Sequence, residues 1–98
     1  MSRRWIVRPL AESDIAQAAT WYENQHRDLG LRFLDATDQL FDRLRISPLQ
    51  FPLVSTDVRR ALLHTFPYAV YFRVTNDAVI VLAVLHLRRR PGTMQGNR

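Results

Sequence analysis

The sequence predicts an α+β fold in which an antiparallel helical hairpin packs on one face of a mainly antiparallel sheet, in the order β-α-α-β-β-β. Two stretches of the first half repeat apolar residues at helical spacing, whereas three stretches of the second half have the pattern of strands. The 98 residues, of which 47% are hydrophobic, suffice for one core. We therefore expect a single domain over residues 1–91 and a flexible tail over residues 92–98.

The chain is predicted to begin with a short strand followed by a helix. Residues 3–8 alternate between two faces and end at Pro9, which is typical of a short strand. From residue 11 to about residue 27, apolar side chains recur at i, i+3, i+4 and i+7, which predicts a helix. Glu12 and Asp14 are expected in its first turn, where the helix dipole favours anions.

A second helix is predicted over residues 31–46. A break near residues 28–30 separates it from the first helix, and Pro48 follows its end. Because the connection is so short, the two helices should pack against each other as an antiparallel hairpin.

Three strands are predicted after a loop over residues 49–57. They are expected over residues 59–66, 69–75 and 78 to about 88, with a tight turn at residues 76–77. Together they should form an antiparallel meander.

The last of these strands is apolar on both faces. Strict alternation places one set of side chains on one face (Val79, Val81, Ala83 and Leu85) and a second set on the other (Ile80, Leu82 and Val84). Such a strand should be central and covered on both sides. The helical hairpin covers one side, so we expect the other to be a docking surface that a partner fills.

The composition excludes several classes of protein. The chain has no cysteine, which removes disulfides, thiolate metal sites and a cysteine nucleophile. Its longest apolar run, residues 78–85, is far shorter than the roughly 18 residues of a membrane-spanning helix. The N-terminus is basic but leads into no apolar stretch of signal-peptide length. We therefore expect a cytoplasmic protein without membrane association.

The charge is positive and unevenly distributed. The formal net charge is +5, and all 14 basic residues are arginines. Residues 1–9 carry +3, residues 10–45 carry −3 and residues 46–98 carry +5, by count of arginines and acids. The first strand and the second half of the chain should therefore form a basic surface suited to an anionic partner.

The sequence favours neither a metal site nor a cofactor. The histidines stand at positions 26, 64 and 86, so none are spaced four apart on a helix as a metal pair would be. Glycines occur only at positions 30, 92 and 96, which excludes a glycine-rich phosphate loop. We expect no metal and no cofactor.

Two local motifs, in this order of elements, carry a family resemblance. Residues 59–74 contain two arginines, then Phe66-Pro67-Tyr68 and an aromatic-rich strand; residues 84–91 end in His86-Leu87-Arg88-Arg89-Arg90-Pro91. The chain resembles the RelE/ParE superfamily of bacterial type II toxin–antitoxin modules over residues 4–91. Within that superfamily it looks like the ParE-like branch, whose members are often called plasmid stabilisation proteins.

The resemblance implies a toxin that a cognate antitoxin neutralises. In this family, the antitoxin's C-terminal segment wraps the toxin as helix and extended chain, so the two proteins form a hetero-oligomer. An acidic, amphipathic segment would cover apolar surface and pair with arginines of this chain. ParE-like members act on DNA gyrase, whereas RelE-like members cut messenger RNA on the ribosome.

The residues favour binding over catalysis, with two alternatives open. Metal-free RNA cleavage needs groups that move protons, and arginine, with a pKa above about 12, moves them poorly. An endoribonuclease would therefore depend on His86, which strand alternation places on one face with Arg88, together with Arg60. The second alternative is an interaction module that has kept the fold and lost toxicity.

The expected binding surface combines arginines with aromatic residues. Arg59, Arg60 and Arg73 lie on adjacent predicted strands, and three more arginines end the last strand, so some of them could converge at one end of the sheet. The residues predicted to bind target or partner are Arg59, Arg60, Arg73, Tyr68, His86, Arg88, Arg89 and Arg90.

Overall fold

The computed structural model describes residues 3–88 and has the predicted order of elements. Strand β1 spans Arg4–Val7, helix α1 spans Pro9–Gln25, helix α2 spans Leu29–Ile46, and a single turn of 3-10 helix follows at Pro48–Gln50. Strands β2, β3 and β4 span Arg59–Leu62, Tyr68–Val74 and Ala78–His86. The predicted α+β class is confirmed. Arg89, Arg90 and the predicted tail lie outside the described residues.

The four strands form one mixed sheet in the order β1-β4-β3-β2. Strand β4 is central, with β1 parallel on one side and β3 antiparallel on the other. In the sequence, both helices come after β1 and before the other three strands. This long connection allows β1 to pair with β4 in parallel. None of the helices within residues 3–88 is long and apolar enough to span a bilayer.

The two helices pack closely where α2 begins. Both carboxylate oxygens of Glu23 accept backbone hydrogen bonds at 3.0 Å, one from the N–H of Asp28 and one from the N–H of Gly30. These bonds satisfy amides that a helix N-terminus leaves unpaired. A Cβ on Gly30 would lie 2.5 Å from the carbonyl oxygen of Ala19, so only glycine permits this approach.

The core between helices and sheet contains a group of aromatic rings. Phe33 is fully buried on α2, and its ring stacks with that of Tyr22 at a centroid distance of 5.4 Å. The rings of Phe66 and Tyr68 are in edge-to-face contact with that of Phe33, at centroid distances of 5.3 and 5.1 Å. These rings bind the hairpin to the start of β3, because aromatic residues bury large apolar areas.

Strand β4 contains a bulge that strict alternation did not predict. Phe72 pairs with Val81 and Tyr71 with Ala83, so Leu82 is an extra residue with no partner on β3. The bulge exchanges the faces of the residues that follow it. Val84 therefore packs with the helices, and Ala83 turns to the opposite face. The prediction that Ala83 and Leu85 share a face with Val79 and Val81 was wrong.

The sheet face away from the helices is not the open apolar surface that was expected. A second buried cluster lies there, composed of Val58, Ala69, Tyr71, Ala83 and Leu85, with Val54 and Leu82 packed against it. Residues 53–59 fold back as a small hairpin, in which the N–H of Val54 donates to the carbonyl of Val58 at 2.8 Å. A segment predicted only as a loop thus covers part of this face.

Two strands end at least two residues earlier than predicted. Strand β2 stops at Leu62, and the left-handed backbone of Thr65, with φ of 68°, turns the chain before β3. Strand β4 stops at His86, where residues 87 and 88 form a turn. Arg88 therefore does not continue the strand, and its predicted alignment with His86 on one face was wrong.

Candidate target and partner interface

The predicted binding residues divide between the two ends of the sheet. Arg59 and Arg60 pair with Phe72 and Tyr71 near the end of β3, and Arg73 lies beside them. Tyr68 begins β3 and pairs with His86 at the end of β4. Three to four residues of strand, about 10–13 Å at roughly 3.3 Å per residue, separate the two groups. The predicted residues therefore do not all converge.

Arg59 supports the chain that precedes it. One guanidinium nitrogen, Nη1, donates to the carbonyl oxygen of Phe51 at 2.7 Å and approaches that of Leu49 at 3.4 Å. Charge-assisted bonds of this kind are stronger than neutral ones, so they fix the segment that enters the small hairpin. The structure gives Arg59 a structural role and leaves it half-exposed.

Arg60 and Arg73 lie on the face away from the helices, next to buried Tyr71. Arg60 is directly opposite Tyr71, and Arg73 follows two residues later on the same strand, so all three share a face. Nε of Arg73 lies 3.0 Å from Oδ2 of Asp57 as an ion pair without hydrogen-bond alignment. Both arginines are half-exposed and make this end of the face basic.

His86 belongs to the opposite end, where its ring packs against Tyr68. The two ring centroids lie 5.2 Å apart, in edge-to-face contact. The backbone N–H of Arg88 donates to Nδ1 of His86 at 3.2 Å, so in the neutral ring the proton sits on Nε2. The hydrogen bond and the ring contact both support the turn after β4.

Tyr22 links this end of the sheet to the helices. Its ring contacts those of Tyr68 and Phe66 at centroid distances of 6.0 and 4.9 Å. Burial, and then the nearby Tyr68 hydroxyl, raise the pKa of Tyr22 above its ordinary value of 10.0.

Sequence reasoning missed the position of Asp14. Because α1 begins at Pro9, Asp14 lies in the second turn, not the first, and is only 8% exposed. Its Oδ2 accepts a hydrogen bond from the backbone N–H of Val84 at 3.0 Å. The spacing of residues could have indicated this position, because Ala11, Asp14 and Ala18 are three and four residues apart and therefore lie on one buried face of the helix.

A small cleft lies beside this hydrogen bond. Its volume is about 250 Å³, and it is lined by Asp14, Gln17, Ala18 and Trp21 of α1 and by Tyr68, Val84, Leu85 and His86 of the sheet. The cleft brings His86 and Tyr68, but not Arg60, next to a buried carboxylate.

The outer surface of the hairpin exposes apolar side chains that the sequence reasoning did not single out. Trp21 is 57% exposed, and Leu10 and Leu31 are also exposed. A groove of about 480 Å³ between the helices is lined by Ile15, Ala19, Leu34 and Phe41, among others. Exposed apolar area of this kind is typical of protein interfaces. Exposed apolar side chains thus lie on the helices and also at Leu53 and Leu62, whereas the centre of the second sheet face is buried.

Comparisons with known proteins identify the family of this chain. The sequence pattern of the family described as "ParE toxin of type II toxin-antitoxin system, parDE" matches residues 6–91. Toxin ParE2, from two strains of Mycobacterium tuberculosis (CDC 1551 / Oshkosh and ATCC 25618 / H37Rv), is 28% identical over 96 residues. That match covers 97% of this chain and 91% of its relative.

A solved structure shares the fold. The chain is similar to a protein of the chromosomal ParDE TA system from P. aeruginosa, with a TM-score of 0.78 and 17% sequence identity. The superposition covers 87% of this chain and 96% of that one. Since the family pattern spans nearly all of the described residues, the chain belongs to the ParE toxin family of type II toxin–antitoxin systems.

Proposed function

We propose that this toxin inhibits DNA gyrase by binding to it and that a cognate antitoxin neutralises the toxin. The observation that carries the binding mechanism is the separation of the charged residues. Arg60 and Arg73 lie at one end of the sheet, whereas His86 and Arg88 lie at the other. The endoribonuclease alternative would use Arg60 together with His86 and Arg88 at one scissile phosphate, and the distance of Arg60 from the other two favours recognition of a surface.

The surroundings of His86 also support binding over proton transfer. Its Nδ1 accepts a hydrogen bond from the N–H of Arg88, and one side of its ring packs on Tyr68. The endoribonuclease that would use His86, Arg60 and Arg88 needs Arg60 to reach across three residue positions from the opposite face. The interaction module without toxicity is the remaining alternative, and growth after expression distinguishes it.

Neutralisation is supported by the exposed apolar residues and the positive charge. Trp21, Leu10 and Leu31 leave apolar area in contact with solvent, and the net charge is +5. A partner segment that is both amphipathic and acidic would cover that apolar area and neutralise part of the positive charge. We propose that such an antitoxin and this toxin form a hetero-oligomer in the cytoplasm, where gyrase acts.

Induced expression of the toxin tests this function directly. Gyrase inhibition should stop growth and induce the DNA-damage response while transcripts stay intact. Cleaved transcripts and arrested translation would favour the endoribonuclease, and undisturbed growth the non-toxic module. Co-expression of the neighbouring upstream reading frame, if it encodes an acidic DNA-binding protein, should restore growth.

A further inference from the structure

Two isoleucines lie on the sheet face away from the helices, beyond the small hairpin of residues 53–59. Ile6 and Ile80 are half-buried, and their neighbours in the sequence pack against the helices, so both isoleucines face the other way. They pair with each other across β1 and β4, and Ile80 pairs in turn with Arg73 of β3. These three residues therefore form one row across three strands of the sheet.

Arginines flank the two isoleucines on both sides. Arg4 and Arg8 each stand two residues from Ile6 in extended chain, so they share its face. Arg73 and Arg60 lie on the other side, on β3 and β2. Because neighbouring strands are about 4.8 Å apart, β1 is about 10 Å from β3 and about 14 Å from β2. We call these four arginines, with Ile6 and Ile80 between them, the basic patch.

Most of the charge in the basic patch is not neutralised within residues 3–88. Arg4, Arg8 and Arg60 form no ion pair with another residue of this range, whereas Arg73 lies beside the carboxylate of Asp57. Arg4 and Arg8 are exposed, and Arg60 is half-exposed. The basic patch therefore presents uncompensated positive charge on both sides of an apolar centre.

The composition of the basic patch selects the kind of partner that fits it. The same patch on a second copy of this chain would place arginines opposite arginines, and like charges across an interface oppose association. A nucleic acid is held largely by hydrogen bonds to its phosphates, and the isoleucine centre donates none. A protein surface with an apolar centre and carboxylates on both sides would cover the isoleucines and pair with the arginines.

We propose that the basic patch is the surface through which this toxin binds DNA gyrase, and that it takes an acidic protein surface of gyrase. The apolar centre of that surface covers Ile6 and Ile80, and its carboxylates pair with the arginines on either side. This inference rests on the proposed function, since gyrase supplies the acidic surface. The charges orient the two proteins, and the covered isoleucines contribute apolar burial.

The methyl groups of isoleucine provide a test that needs no variant. The chain has four isoleucines: Ile6 and Ile80 lie in the basic patch, and Ile15 and Ile46 lie on the helices. The full-length toxin, labelled on these methyl groups, is mixed with unlabelled purified gyrase in the absence of DNA. Saturation of the gyrase protons should attenuate the two patch signals at least threefold more than the two helix signals.

Charge-reversal variants provide a second measurement. Arg8→Glu with Arg60→Glu should raise the toxin concentration that half-inhibits gyrase supercoiling by about tenfold or more. Arg27→Glu with Arg32→Glu changes the net charge equally on exposed positions of the helical hairpin and should leave that concentration within twofold. Circular dichroism shows whether each variant folds, and the methyl measurement on the unaltered toxin does not depend on it.

Three outcomes would overturn the proposal: attenuation centred on the helix isoleucines, attenuation of the patch signals only after DNA is added, or equal inhibition by the unaltered toxin and a folded Arg8/Arg60 variant. In the last case gyrase inhibition stands and the basic patch is wrong. A variant that inhibits gyrase fully but escapes the antitoxin would assign the patch to the antitoxin instead. A toxin that neither binds nor inhibits gyrase contradicts the proposed function itself.

Discussion

The carboxylate of Asp14 satisfies a backbone group of strand β4: its Oδ2 accepts a hydrogen bond from the N–H of Val84 at 3.0 Å. Strand β1 ends at Val7, opposite Val81, so among residues 3–88 no strand lies beside the edge of β4 beyond that point. Helix α1 follows β1 at once and places a buried acid where a carbonyl would otherwise accept this hydrogen bond.

Replacement of Asp14 by alanine should destabilise the toxin by about 1–3 kcal/mol, because a buried N–H loses its acceptor. Asp14→Asn keeps a side-chain oxygen and should cost less than the alanine variant. Urea unfolding of the three proteins measures the difference. An alanine variant as stable as the parent would show that the bond to Val84 contributes nothing.

Gly30→Ala should destabilise the helical hairpin even though alanine favours helix by about 1 kcal/mol over glycine. The new Cβ would meet the carbonyl oxygen of Ala19 at 2.5 Å, and a backbone atom cannot move without shifting the helix. We expect a net loss of about 1–3 kcal/mol in thermal unfolding. Gln39→Ala, on the exposed side of α2, is the matched control and should change stability little.

Stability should fall at alkaline pH in a way that Tyr22 controls. The pKa of Tyr22 is raised in the folded chain above its ordinary value of 10.0. The contribution of protonated Tyr22 to the free energy of unfolding is therefore fully present below pH 10.0 and is lost as the pH rises through the folded pKa. The chain has no lysine to titrate in the same range. Tyr22→Phe should flatten the fall in unfolding free energy above pH 10 relative to the parent protein, and an unchanged slope would contradict the assignment.

His86→Ala should leave toxicity largely intact, because the ring of His86 supports a turn and the proposed binding mechanism does not require His86 to transfer a proton. Removal of Arg88, Arg89 and Arg90 together should abolish toxicity, because it deletes three positive charges that follow the last strand in the sequence. Colony formation after induction measures both. A folded His86→Ala protein that has lost toxicity would restore the endoribonuclease as the better account.

The sequence predicted the order of elements well because periodicity carries that information. The stripe of apolar residues that includes Phe33, Leu40 and Leu44 defines α2, and all three are buried. The bulge at Leu82 could not be predicted, since residues 78–85 are all apolar and their alternation gives no register. The buried position of Asp14 was not predicted, because an acid near the start of a helix is usually explained by its favourable interaction with the helix dipole.

The candidate site was predicted less well than the fold. Arg59, Arg60 and Arg73 lie together at one end of the sheet, as their strands suggested, but Arg59 binds carbonyls of its own chain. The covering of the second face by residues 53–59 depends on a hairpin whose only local signals are prolines and polar residues. Strand order, which separates His86 from Arg60, is a tertiary property that no local pattern contains.

The supercoiling activity of DNA gyrase in the presence of the purified toxin tests the central claim most directly. The account predicts that the toxin inhibits supercoiling in proportion to its concentration, that His86→Ala inhibits equally, and that added antitoxin relieves the inhibition. Unaffected supercoiling, together with cleavage of ribosome-bound messenger RNA that His86→Ala abolishes, would contradict it.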